Sequence, residues 1–194
     1  YYPVSRYFDI QGLDGDDLIC TTFSDNGYRT AISVDGGGKV QVRYQEGGTS
    51  VGSSLVAETD LSFAPGGRYV EITYTVKNNG SETHEFKIGS SADVMIGEND
   101  RAAVSFSGNG LKMEGSYLGL GLLNDYNFYL VAPTCDTLWY GYYYDAYSNM
   151  FNNRTDTGTY RKDSGMAWSW SGSVAPGQTW TRSVLIGAGD VPQG

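Results

Sequence analysis

Apolar and polar residues alternate with a period of two along most of this chain. In RYVEITYTVKN (68–78), Val70, Ile72, Tyr74 and Val76 fall on one face, opposite Glu71, Thr73, Thr75 and Lys77. KVQVRYQE (39–46) puts Val40, Val42 and Tyr44 together in the same way. HEFKIG (84–89), AAVSFSG (102–108), YNFYLVA (126–132), MAWSWSGS (166–173) and QTWTRSVLIG (178–187) repeat the pattern. Each predicts a strand with one buried and one wet face. Turn chemistry separates them: DNG (25–27), DGGG (35–38), PGG (65–67), NNG (78–80), SGNG (107–110) and APGQ (175–178). No stretch shows a sustained helical stripe, and DAYSNMF has room for one helical turn at most. About a dozen short strands without helices predict an all-β chain folded as an antiparallel β-sandwich. No internal repeat or composition break divides it, so residues 1–194 are expected to form a single domain, with 190–194 opening a linker.

One stretch departs from simple alternation. LWYGYYYDAYSNMF (138–151) carries seven aromatic residues in fourteen: Trp139, Tyr140, Tyr142, Tyr143, Tyr144, Tyr147 and Phe151. Period two places rings on both faces of that strand. Trp168 and Trp170 share one face of another. Cross-strand packing accounts for some of these rings. The chain nevertheless holds 4 Trp, 16 Tyr and 7 Phe, and every buried Tyr O–H and Trp N–H needs a partner. The surplus is therefore expected on the surface, where Tyr and Trp beside Asn, Ser and Gly make recognition faces. The expected anchors are Trp139, Tyr142, Tyr144, Tyr147, Trp168 and Trp170. Asn149, Asn152, Asn153 and Arg154 would add hydrogen bonds from the polar segment 145–164, a loop long enough to be functional.

The charge narrows the partners. A net −9 and a pI near 4.4, with no basic cluster, exclude nucleic acid and disfavour anionic membranes. No run approaches the length of a membrane helix. With 27 glycines and no G-X-Y period, the composition signifies many turns rather than collagen. The acidic, Tyr/Asn/Ser/Gly-rich character suits a secreted or surface-attached protein, monomeric as a domain within a larger chain, whose export signal would lie upstream. Cys20 and Cys135 form no C-x-x-C pair and leave open both a disulfide and two free thiols.

Catalytic constellations are weak by spacing. Glycoside hydrolysis needs two carboxyl groups roughly 5–10 Å apart, and with 22 acidic residues some pair is always close. A Ser–His–Asp triad would have to use His84, the one histidine; no G-x-S-x-G elbow occurs, and His84 reads as a strand-edge residue. Calcium has candidate oxygens at Asp14, Asp16 and Asp17, and at Asp93, Glu98, Asn99 and Asp100. Neither group follows the EF-hand spacing, so the ion would be structural, and no other cofactor is implied. DGGGK lacks the spacing of a phosphate loop.

Two passages carry a resemblance. RYVEITYTVKNNGSETHEFKIGSSADVMIGENDRAAVSF (68–106) resembles the central strands of galactose-mutarotase-like supersandwich domains. Together with DTLWYGYYYDAYSNMF and DSGMAWSWSGSVAPGQTWTRSVLIGAGDV (within 136–191), it is similar to sandwich domains of large secreted or wall-anchored proteins of gut Firmicutes. The catalytic members of that superfamily use histidines and a glutamate on a concave face. GSSADVMIG lacks the histidine and His84 precedes the second strand, so the resemblance implies a non-enzymatic binding descendant. Proteins of this type include adhesins, carbohydrate-binding modules and immunoglobulin-binding proteins. The expected function is recognition of a host glycoprotein, immunoglobulin among them. The alternatives are a carbohydrate-binding module for a glycan, a mutarotase-like or lyase-type enzyme, and a structural spacer.

Overall fold

The structure is a computed structural model describing residues 8–13, 17–23, 28–62, 69–93, 103–107, 110–119, 122–132, 134–152 and 164–188. Strands occupy Phe8–Leu13 (β1), Asp17–Phe23 (β2), Tyr28–Val34 (β3), Val40–Gln41 (β4), Thr49–Val51 (β5), Leu55–Ser62 (β6) and Tyr69–Asn78 (β7). They continue with His84–Asp93 (β8), Ala103–Ser107 (β9), Gly110–Gly119 (β10), Leu122–Val131 (β11), Thr137–Tyr142 (β12), Ser164–Val174 (β13) and Thr179–Ala188 (β14). Among the described residues the only helical element is a 3₁₀ turn, Tyr143–Asp145.

Among the described residues every pairing is antiparallel. One sheet has seven strands in the order β5-β6-β7-β14-β11-β10-β9, and the other has five, β12-β13-β8-β3-β4. β1 and β2 form a separate hairpin. The two large sheets face one another across a shared core, as a sandwich requires. Ile72, Tyr74 and Val76 of β7 and Val184 and Ile186 of β14 meet Phe86 and Ile88 of β8, Ile32 of β3, and Met166, Trp168 and Trp170 of β13. The alternation read from β7, β8 and β14 thus marks the inward faces.

Polar handles on the buried rings are satisfied inside that core. Trp168 Nε1 donates to Tyr74 Oη at 2.8 Å, and Tyr74 Oη lies 2.6 Å from Ser90 Oγ. Ser90 Oγ is in turn 2.7 Å from Thr30 Oγ1. This chain joins β7 of one sheet to β13, β8 and β3 of the other, so it ties the layers together where an unsatisfied group would be costly. Trp170 Nε1 donates to Thr134 Oγ1 at 3.1 Å, and its ring lies 4.9 Å from that of Tyr74 and 6.0 Å, edge-on, from Trp180.

Two expectations about strands are corrected. β13 is not half-wet: residues 164–170 are buried without interruption, because the outer face of its sheet is covered. The first part of KVQVRYQE pairs with β3 at Val40 and Gln41, with a last backbone bond from Val42 N to Thr30 O at 2.8 Å. The chain then leaves the ladder at the sheet's edge, so Val42 is buried while Val40 and Tyr44 are exposed.

The cover on the five-stranded sheet is the segment 143–151. Ala31, Trp139 and Ala167 point outward and pack beneath Ala146 and Met150, with Tyr147 and Phe151 alongside. Two paired glycines, Gly141 and Gly165, make this possible. A Cβ on Gly165 would stand 2.7 Å from Tyr143 Cα, and one on Gly141 would stand 2.8 Å from the Trp139 indole. Lys39 holds the segment from the side, donating to the Tyr147 carbonyl at 2.5 Å.

Candidate functional site

The rings expected to form one recognition face separate into three settings. Trp168 (0% exposed) and Trp170 (1%) lie in the core, and Trp139 (6%) lies in the outer cluster under the 143–151 cover. Their assignment as ligand anchors is corrected: the interior supplies hydrogen-bond partners for the indole N–H groups of Trp168 and Trp170, so they had no need of the surface. The second face of the aromatic strand is filled by a second small core.

Tyr147 is half-buried and clamped. The Arg29 guanidinium sits 4.9 Å and the Lys39 ammonium 4.5 Å from its ring centroid, which uses its π-face within the fold. Partial burial of Lys39 lowers its pKa through desolvation. Asn149 donates through Nδ2 to the Asp145 carbonyl at 2.9 Å and accepts from Asn152 Nδ2 at 2.9 Å. These amides build the turn, although Asn152 remains exposed. Asn153 and Arg154 lie outside the described residues.

Tyr142 (43% exposed) and Tyr144 (75%) do reach solvent. β12 is an edge strand, and Tyr142 follows Tyr140 on the same strand face where the core has ended. Tyr142 and Tyr144 have centroids 6.4 Å apart with planes 33° from parallel. Half-buried Tyr143 stands nearly edge-on to both, 4.9 Å from Tyr142 and 6.3 Å from Tyr144. The result is a three-tyrosine ridge mounted on the 3₁₀ turn, above the turn's own hydrogen bonds and the outer core.

Of the calcium candidates, Asp14, Asp16, Glu98, Asn99 and Asp100 lie outside the described residues, and the Asp17 side chain is likewise undescribed. Asp93 ends β8 opposite Gly165. Among the described residues no three His, Cys, Asp or Glu side chains converge as a metal site, and no helix is long and apolar enough to cross a membrane. Cys135 carries a free thiol. Burial, aided by neighbouring Asp136, pushes its pKa up to about 11.

A second site was hidden from sequence reasoning. A cleft of about 450 Å³ opens where the β5–β6 and β7–β8 turns meet the end of β3. Pairing of Val34 with Phe86 carries Asp35 alongside the start of β8, where its backbone N–H donates to Glu85 O at 2.8 Å. There Asp35 Oδ1 accepts from the Glu85 N–H at 3.0 Å and Oδ2 lies 2.6 Å from His84 Nδ1. The other ring nitrogen, Nε2, is 3.4 Å from Ser54 Oγ. Ser54 belongs to the tight β5–β6 turn, and its carbonyl accepts from Asn79 N at 2.8 Å. Buried Asn78 braces the facing turn, donating to Glu82 O and Val174 O and accepting from Gly80 N. The hydrogen bonds from His84 and Glu85 hold the Asp35 carboxyl below its ordinary pKa. Asp35 also adopts φ +50°, an uncommon conformation that Asp tolerates better than most residues.

No protein-family model matches this chain, and no curated protein is detectably similar to it.

Proposed function

We propose that this is a recognition domain of a large bacterial surface or secreted protein, and that its three-tyrosine ridge binds a host glycoprotein through the protein surface. The observation that carries the reading is the exposure of Tyr144 and Tyr142, at 75% and 43%, above a segment packed on the outer core. Tyrosines held this way offer large amphipathic contact area at little further entropic cost, the property that makes them anchors in binding faces. The tilt between the rings supports a protein partner over a stacked glycan. Tyr143 stands at 72° and 86° to its neighbours, which leaves no flat platform for consecutive sugars. The ridge binds and does not turn over what it binds. An extracellular setting and the galactose-mutarotase-like subtype of sandwich belong to the same proposal, supported by the acidic composition and the resemblance of residues 68–106.

The test is capture of serum proteins, immunoglobulin included, on the immobilised domain, in parallel with a glycan array. Tyr142→Ser and Tyr144→Ser, singly and together, are expected to weaken capture about 10-fold or more while leaving the melting temperature unchanged. Capture that survives the double substitution, or binding seen only on the glycan array, would overturn the reading.

A further inference from the structure

We propose that Ser54, His84 and Asp35 form a nucleophilic centre that accepts the acyl group of a short neutral or cationic ester. The cleft holding them shares no residue with the tyrosine ridge, so the proposal stands apart from the recognition reading.

The connectivity is that of an activated serine. A carboxylate can only accept, so the 2.6 Å contact makes His84 Nδ1 the donor to Asp35. In neutral imidazole that leaves the Nε2 lone pair directed at Ser54 Oγ, 3.4 Å away. Nucleophile, base and orienting carboxylate thus occur in the order acyl transfer needs, and such sites are recognised by geometry rather than by chain order. A nucleophile–base distance of this length is usual for a site without substrate. The chain has one imidazole, and both of its nitrogens are engaged here.

Each member is also held by the backbone. Asp35 is fixed by reciprocal hydrogen bonds with Glu85, and Ser54 by Asn79. The two sheets supply opposite sides of the cleft, with β5–β6 bringing the serine and β3 and β8 bringing the dyad. The volume, about 450 Å³, suits a small ligand. Val34 and Val51 give an apolar wall for a short acyl chain, Gly52 faces open space, Gly80 packs directly against the Ser54 side chain, and Glu82 on the lining disfavours an anionic substrate.

In the reaction, Ser54 Oγ bonds to the ester carbonyl carbon while its proton passes to His84 Nε2. The bond from that carbon to the alcohol oxygen breaks, and Nε2 returns the proton to the departing alcohol. Water then attacks the acyl-serine with Nε2 again taking the proton, which restores Ser54 and releases the carboxylic acid. One ester and one water become one acid and one alcohol. Asp35 is a positioning residue that holds the ring tautomer.

The test uses a neutral alkyl fluorophosphonate and p-nitrophenyl acetate with the whole domain. Peptide mapping should locate the phosphonyl adduct on Ser54 of the wild-type protein, and guanidine-unfolded protein should not be labelled there. Ser54→Ala should abolish the adduct, and His84→Gln should slow both labelling and ester hydrolysis about 100-fold or more. Asp35→Asn should slow both and displace their pH profile, which a purely structural carboxylate would not do. Circular dichroism confirms that the variants fold, and the wild-type mapping stands without them. Labelling of Ser54 no faster than of other serines, or hydrolysis unchanged in Ser54→Ala, would reduce the hydrogen-bond chain to a turn support and overturn the proposal.

Discussion

Trp168 on one sheet donates its indole N–H to the hydroxyl of Tyr74 on the other, 2.8 Å away and fully buried. These two large amphipathic side chains of the core thus cancel one another's polar need, and Ser90 and Thr30 continue the chain. Tyr74→Phe keeps the ring but leaves the Trp168 N–H without its acceptor, so it is expected to cost about 1–3 kcal/mol. Trp168→Ala also opens a cavity and should cost about 3–5 kcal/mol. Urea unfolding with an unchanged m-value would measure both. A loss under 0.5 kcal/mol for Tyr74→Phe would mean that water replaces the phenol.

The outer core depends on close approach of the 143–151 segment to Gly165. A methyl there would meet Tyr143 Cα at 2.7 Å, a backbone atom that cannot swing aside. Gly165→Ala should lift the segment and expose Trp139, seen as a red shift of indole fluorescence and faster proteolysis near residue 150. Met150→Ala, at a site 0% exposed, should cost about 2–5 kcal/mol without that cut.

Cys135 should be a slow thiol. Its pKa, raised from 9.0 to about 11, leaves about 100-fold less thiolate at pH 8 than an ordinary cysteine would have, and the thiolate is the reactive form. In a Cys20→Ser background, iodoacetamide should modify Cys135 about 100-fold more slowly in folded than in unfolded protein. The sign for stability follows from the same shift. The folded state keeps the thiol proton more tightly, so this contribution is complete below pH 9.0 and fades as pH rises toward about 11. Equal alkylation rates in the two states would contradict the burial.

Asp35 works in the opposite sense. Its folded pKa lies below the ordinary value of 3.8, so its contribution is present above that pH and is lost as pH falls through the lower, folded value. Asp35→Asn should therefore narrow the stability gap between wild type and variant in strong acid, followed by thermal melts from pH 7 down to pH 2. A gap that stays constant would show that the carboxylate's charge is irrelevant to the turn.

The strand-forming alternation was legible in strands such as β7 and β14, where apolar residues recur at every second position of the face that meets the core. β6 was not legible because the apolar residues of LVAETDLS do not alternate: Leu55, Val56 and Ala57 are consecutive and Leu61 stands apart among acids and hydroxyls. The aromatic excess was legible too, but not its destination. A single sequence does not reveal that a segment folds back over the outer face of its own sheet, nor that Trp168 and Tyr74 satisfy each other. The Ser54–His84–Asp35 cleft was illegible for a related reason. Asp35 and Ser54 stand 49 and 30 positions from His84; Asp35 opens a stretch that reads as turn punctuation, and nothing in the sequence marks Ser54. Only the register of β3 against β8 and the β7–β8 turn's hold on Ser54 bring them together.

The glycine recess under the 143–151 segment has an evolutionary corollary. Tyr142 and Tyr144 project from a platform whose footing is locked elsewhere, by Met150, Ala146 and the glycine pair. The tips can therefore drift through many side chains with little toll on folding, while the footing admits almost none. If the ridge binds as proposed, a lineage that needs to follow a changing target could rewrite Tyr142 and Tyr144 and leave the architecture untouched.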